Sequence, residues 1–230
     1  MGKYFEALAS NQIITFEVHK KRNMESAFSI YSEIGFKHIA DINAYDHILF
    51  VIALCAIYRL SEWKRVAILV TAFTIGHSVT LALAALDVIT FPKDVIEFLI
   101  PVTIILTCLY NIFSRTNQPR AGKMTPSKIA YLTRQIIVNY FFAFFFGLIH
   151  GMGFSNYLKS VVDADESLVW LLFAFNVGLE LGQLMIVAII LVIAFVAMDI
   201  LKVKQRTWNI AVSSVVGLMA IGLIVQLMGG

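Results

Sequence analysis

Residues 168–198 read LVWLLFAFNVGLELGQLMIVAIILVIAFVAM, and Glu180 is the one charged side chain in the run. A helix of about 20 mostly apolar residues crosses a hydrocarbon layer of about 30 Å. The stretch therefore reads as a membrane span with length left over to tilt or project. Working outward, five more apolar stretches meet or approach that length: Ile39–Tyr58, Val66–Leu86, Val95–Phe113, Ile136–His150 with flanking residues, and Trp208–Leu227. The composition agrees, with 59% hydrophobic and 14% charged residues in a chain of 230. A soluble domain of that size needs a polar exterior, so lipid must be part of the solvent. The expected fold class is all-α, a polytopic membrane helix bundle of about six transmembrane helices.

Basic residues set the expected orientation. Arg59, Lys64 and Arg65 follow the first span; Arg115, Arg120, Lys123, Lys128 and Arg134 lie between the third and fourth; Lys202, Lys204 and Arg206 precede the last. These loops are expected to be cytoplasmic. The opposite loops hold Lys93 and Lys159 against Asp87, Asp94, Asp163, Asp165 and Glu166, which puts both termini outside. Lys20, Lys21 and Arg22 count against that orientation. The net charge of +3 is accounted for by these flanks, and no nucleic-acid partner is called for. No signal peptide is read at the N-terminus. Residues 24–40 space Met24, Ala27, Phe28, Tyr31, Ile34 and Phe36 as on an amphipathic interfacial helix. The division expected is an N-terminal segment, 1–37, and a six-helix domain, 38–230. Cys55 and Cys108 lie in apolar runs and read as small packing residues.

Ionisable groups in hydrocarbon cost about 2.5–3.5 kcal/mol on insertion scales, so those that remain face the bundle interior and partner one another. His47 and His77 each lie about 18 Å of helix rise above their basic flanks at Arg59 and Arg65. His150 lies about 24 Å above Arg134. Asp46 precedes His47, and Glu180 forms a polar stripe with Asn176 and Gln183 at i, i+4 and i+7. Gly178 and Gly182 leave room for a neighbouring helix. Imidazole with carboxylate suits nickel, zinc, cobalt or copper. Asp46, His47, His77, His150 and Glu180 are therefore the candidate metal ligands, with His38 a weaker one. Ser78, Asn176, Gln183 and Thr74 read as supporting or interhelical hydrogen-bonding groups. His19 reads as solvated.

Four motifs occur in order on successive spans: KHIADINAYDHILF (37–50), FTIGHSVTLALA (73–84), IHGMGF (149–154) and FNVGLELGQ (175–183). Together they resemble the HupE/UreJ family of bacterial membrane proteins, over about residues 34–190. The resemblance implies a bacterial cytoplasmic-membrane permease linked to nickel supply for hydrogenase or urease. Asp46 and His47 match the family's Asp-His pair; His150 with Gly151, and Glu180, match its later features. The interval from His38 to Asp46 is longer than the family pattern.

Two function classes follow. The first is a secondary permease for a divalent cation, driven by membrane potential or a proton gradient, since no nucleotide motif is visible. The second is an intramembrane zinc hydrolase acting on a lipid or lipidated protein, with Glu180 or Ser78 in the acid-base or supporting role. A non-catalytic metal-binding subunit, in a homo-oligomer or a larger membrane complex, is a third reading. The lower halves of the first two spans hold almost no polar side chain except Thr71, which weighs against the permease.

Overall fold

The computed structural model describes residue 25 and residues 27–42, 45–114, 126–154 and 168–229; for 126–136 it describes the backbone alone. The described residues form helices and no strands. In chain order these are α1 (27–40), α2 (Asp46–Cys55), a 3-10 turn (Leu60–Glu62), α3 (Trp63–Ala85), α4 (Lys93–Phe113), α5 (Pro126–Gly153), α6 (Leu168–Phe195) and α7 (Gln205–Gly229). A π turn, Val196–Ile200, extends α6.

Four helical stretches are long and apolar enough to cross a membrane: Leu60–Ala85, Lys93–Phe113, Leu168–Ile200 and Gln205–Gly229. Asp46–Cys55 and Ile137–Gly153 are shorter apolar helices. Ile75, Phe141, Val192 and Leu218 are exposed on α3, α5, α6 and α7. Apolar groups turned outward on four helices are what a lipid solvent accepts and water does not.

The stretch expected as a first span, Ile39–Tyr58, is not one helix. α1 ends at residue 40, and α2 has 10 residues, a rise of about 15 Å. The two short helices follow α6 in succession. Phe28 packs on Trp170 and Phe173, Ile39 meets Gly182, and Arg59 reaches Asp199 at 3.7 Å. The Asp41–Asp46 segment, with its polar side chains, interrupts a run whose flanks are apolar enough to read as continuous. The fourth span also differs: α5 starts at Pro126, so Lys128 and Arg134 lie in helix rather than in a loop. Proline suits the first helical position, where its missing N–H has no partner to lose.

Small residues set the closest crossings. A Cβ on Gly178 would strike the Ser32 carbonyl, and one on Gly35 the Phe175 carbonyl, so α1 lies backbone to backbone with α6. α3 and α5 are locked the same way: Gly147 faces the Phe73 carbonyl, Gly151 faces that of His77, and Gly76 that of Phe144. Gly147 and Gly151, like Gly178 and Gly182, are four residues apart and share one helix face.

A helix ending inside a bilayer leaves carbonyls that must find donors. Asn111 Nδ2 donates to the Ala53 carbonyl at 2.7 Å, and Gln205 Nε2 to that of Ile57 at 2.8 Å. Asn209 Nδ2 then donates to the Asn111 carbonyl at 2.7 Å, and Asn209 Oδ1 accepts from Ser213 Oγ at 3.1 Å. Asn111→Leu is expected to cost about 1 kcal/mol, because the Ala53 carbonyl loses the shorter of its two donors and keeps only the Ala56 N–H at 3.3 Å. Urea titration of the protein in micelles would measure it, with Leu218→Ala on the exposed face of α7 as the neutral comparison.

Two apolar clusters fill the interior. One gathers Phe50, Leu54, Leu69, Phe73, Ile104 and Phe146; the other gathers Tyr31, Ile39, Leu81, Leu171, Phe175 and Leu179. The histidines lie where these clusters meet. Below, the end of the bundle that carries Ala85, Lys93 and Leu168 is called the upper end, and that carrying Arg59, Trp63 and Gln205 the lower.

Candidate metal centre

His38 comes from the last turn of α1, His47 from the first turn of α2, His77 from α3 and His150 from the last turn of α5. Ring centroids are 4.6 Å apart for His38 and His47, 5.9 Å for His38 and His77, 6.3 Å for His47 and His77, and 5.1 Å for His47 and His150. One nitrogen each from His38, His47 and His77 lies within 4.8 Å of the other two. Among the described residues this is the one such set of three His, Cys, Asp or Glu side chains.

The carboxylate beside His47 fixes which nitrogen is free. Asp46 Oδ1 lies 3.0 Å from His47 Nδ1 and also accepts from the His47 backbone N–H at 2.8 Å. A carboxylate only accepts, so Nδ1 carries the proton and Nε2 keeps its lone pair. Asp46 thus orients His47 rather than joining the converging set. A similar argument applies to His150. Thr103 Oγ1 lies 2.7 Å from the Ile100 carbonyl and 3.0 Å from His150 Nε2; when its single proton goes to the carbonyl, Nε2 donates to the hydroxyl. The lone pair of His150 is then on Nδ1.

His77 and His150 are wholly buried, and His47 is 5% exposed. His38 Nε2, His47 Nε2, both nitrogens of His77 and His150 Nδ1 are buried with no hydrogen-bond partner among the described residues. Buried polar atoms are normally satisfied, each orphan costing about 1–3 kcal/mol. A borderline divalent cation is the ligand that would satisfy several imidazole lone pairs at once.

Glu180 stands apart. Its Oε1 accepts from Thr71 Oγ1 at 2.5 Å, and Gln183 Oε1 from Thr74 Oγ1 at 2.8 Å, so the polar stripe of α6 turns toward the threonines of α3. Ser78 donates to the Thr74 carbonyl at 2.6 Å, within its own helix. Asn176 Oδ1 has no partner among the described residues.

Aromatic rings enclose the histidines. Phe154 lies 4.0 Å from the His38 ring and stacks on Phe175 at 5.0 Å, on the upper side. Phe50 and Phe73 lie 5.0 and 5.2 Å from His150 on the lower side, and Phe146 meets Phe50 at 6.1 Å. Their positions carry a signal: Phe50 is three residues from His47, Phe73 four from His77, and Phe146 and Phe154 four from His150. At those spacings a ring shares the face of its histidine.

A family model described as HupE / UreJ protein matches residues 15–227, and so takes in His38, His47, His77 and His150. The chain belongs to the HupE/UreJ family. No curated protein and no solved structure matches it. The HupE/UreJ match also spans the four motifs at 37–50, 73–84, 149–154 and 175–183. In this HupE/UreJ chain the first motif supplies both His38 and His47, the second His77 and the third His150. The fourth supplies Phe175 and the glycine face against α1.

Proposed function

We propose that this protein binds a divalent transition cation between His38, His47 and His77, with His150 as a fourth donor, and carries it across the bacterial cytoplasmic membrane. The observation that carries the reading is the convergence of three histidine nitrogens within 4.8 Å where one short helix ends and another begins. Transporters commonly bind their ions at such discontinuous helices near mid-membrane. Nickel is the cargo the family name favours, with cobalt, zinc and copper compatible with imidazole donors.

In this reading α1 with α2 makes one crossing and α3 to α7 the other five, six in all. Arg59, Lys64, Arg65, Lys202, Lys204 and Arg206 mark the lower end as cytoplasmic. Both termini are then external, and α1 descends from the outer interface with its exposed Glu33–Lys37 pair turned outward. Inward movement of a doubly charged ion gains about 4.6 kcal/mol over 100 mV.

Purified protein is expected to hold one ion per chain and, in proteoliposomes with an inside-negative potential, to take up Ni²⁺ in preference to Mg²⁺. Glu180→Ala should keep the bound ion, because Glu180 is committed to Thr71. Asp46→Asn should weaken binding about 10–100-fold, as loss of a histidine's carboxylate partner does elsewhere. Competition with a chromophoric chelator measures both. The aromatic floor of Phe50, Phe73 and Phe146 favours a second reading, a zinc hydrolase or a non-catalytic metal-binding subunit, in which nothing passes through. Bound metal without uptake would reject transport and leave that reading standing.

A further inference from the structure

Below the aromatic floor, between α2, α3, α4 and α5, lies a cavity of ≈ 340 Å³. Its back wall is Leu54, Leu69, Thr107 and Phe146, all buried. Its mouth is formed by Leu106 on α4 and by Phe142 and Phe145 on α5, which are 50%, 42% and 48% exposed. The opening therefore faces the bilayer between these two helices. Protein interiors are close-packed, and a hole of this size left empty would strip contacts from every wall. The surface its walls present is almost wholly apolar, which favours a hydrocarbon occupant over water, since water needs several polar partners. The matter bathing the mouth at this depth is hydrocarbon.

The lower edge has a different character. Asn139 and Tyr58 line it, and Asn139 Nδ2 donates to Tyr58 Oη at 3.1 Å. Asn139 Oδ1 is buried without a hydrogen-bond partner among the described residues. Tyr58 precedes Arg59, which pairs with Asp199 at the lower end of the bundle. The unpartnered amide oxygen, an acceptor, thus sits toward the lower interface, at the edge of an apolar hole.

We propose that this cavity is a lipid site: one acyl chain of a phosphatidylglycerol from the lower leaflet enters between α4 and α5, and a hydroxyl of its glycerol headgroup donates to Asn139 Oδ1. Occupancy fills the space beneath the aromatic floor and satisfies the one open polar atom at its edge. The site does not depend on metal binding, and its failure would leave the histidine centre untouched.

The test uses phosphatidylglycerol in two forms. In native mass spectrometry, full-length protein released from micelles should retain one phosphatidylglycerol. Leu106→Trp, which fills the mouth, should weaken retention at least 10-fold; Leu218→Trp, on the exposed face of α7, should not. Asn139→Leu should lower affinity while keeping the chain in place. Independently of any variant, phosphatidylglycerol with a photoreactive group along its acyl chain should label Leu54, Leu69 or Thr107 in the unaltered protein. Equal retention by Leu106→Trp and Leu218→Trp, or labelling confined to lipid-facing residues such as Leu218, would overturn the assignment.

Discussion

His77→Ala is expected to abolish the thermal stabilisation that nickel gives the protein, while leaving the metal-free protein about as stable as before. The imidazole is wholly buried, and neither nitrogen has a hydrogen-bond partner among the described residues. In the metal-free state it contributes packing but carries a desolvation penalty of about 1–3 kcal/mol for each orphaned group. Truncation removes both, so the two effects largely offset. With metal the balance differs. A ligand at a hundredfold excess over its Kd stabilises by about 2.7 kcal/mol. The variant keeps only His38 and His47 of the converging set, with His150 beside His47. Affinity should fall by more than the roughly 10- to 100-fold that an outer carboxylate partner is worth. Melting curves with and without Ni²⁺, in the same detergent, decide it. A variant that still gains stability with nickel would remove His77 from the centre.

The second large effect is expected at Gly178. A leucine there drives its Cβ into the Ser32 carbonyl, which is backbone, so no rotamer change relieves it. α1 must move off α6, exposing Tyr31 and Ile39, now 5% and 0% exposed, and drawing His38 from its neighbours. Overpacking alone costs about 1–3 kcal/mol, and the packing contacts of two large side chains are lost with it. Gly178→Leu should therefore lose stability and metal binding together. Gly222→Leu is the comparison, because a Cβ at Gly222 meets nothing within 4 Å and should change stability by no more than about 0.5 kcal/mol. Chemical denaturation and the nickel shift, measured on both variants, separate them. Metal binding that survives in Gly178→Leu would mean that α1 is not needed to hold the ion.

The helical architecture was legible because continuous apolar runs and their basic flanks are read directly from composition. Counting rise from Arg59 and Arg65 placed His47 and His77 at one height, and their rings are 6.3 Å apart. The break after Ala40 was hidden because residues on both sides are apolar, although DINAYD at 41–46 carries the signal of an interruption. Missing that break also undervalued His38. In one continuous helix His38 and His47 sit nine residues apart, at a separation of about 13 Å, whereas two helices meeting end to end bring the rings to 4.6 Å. The placing of Glu180 has a different cause. Periodicity finds the stripe of Asn176, Glu180 and Gln183 but does not say which helix it faces, and it faces Thr71 and Thr74.

The glycine crossing of α3 with α5 divides the four histidines into unlike pairs. His77 and His150 ride on helices whose backbones touch, so the distance between them is as stiff as the core itself. His38 and His47 sit at the facing ends of two short helices, each seated separately along α6. The centre is built as a vice with one fixed jaw and one jointed jaw. For an ion held as proposed, grip is set by how α1 and α2 are seated, and release is expected to open on their side, with α3 and α5 standing still.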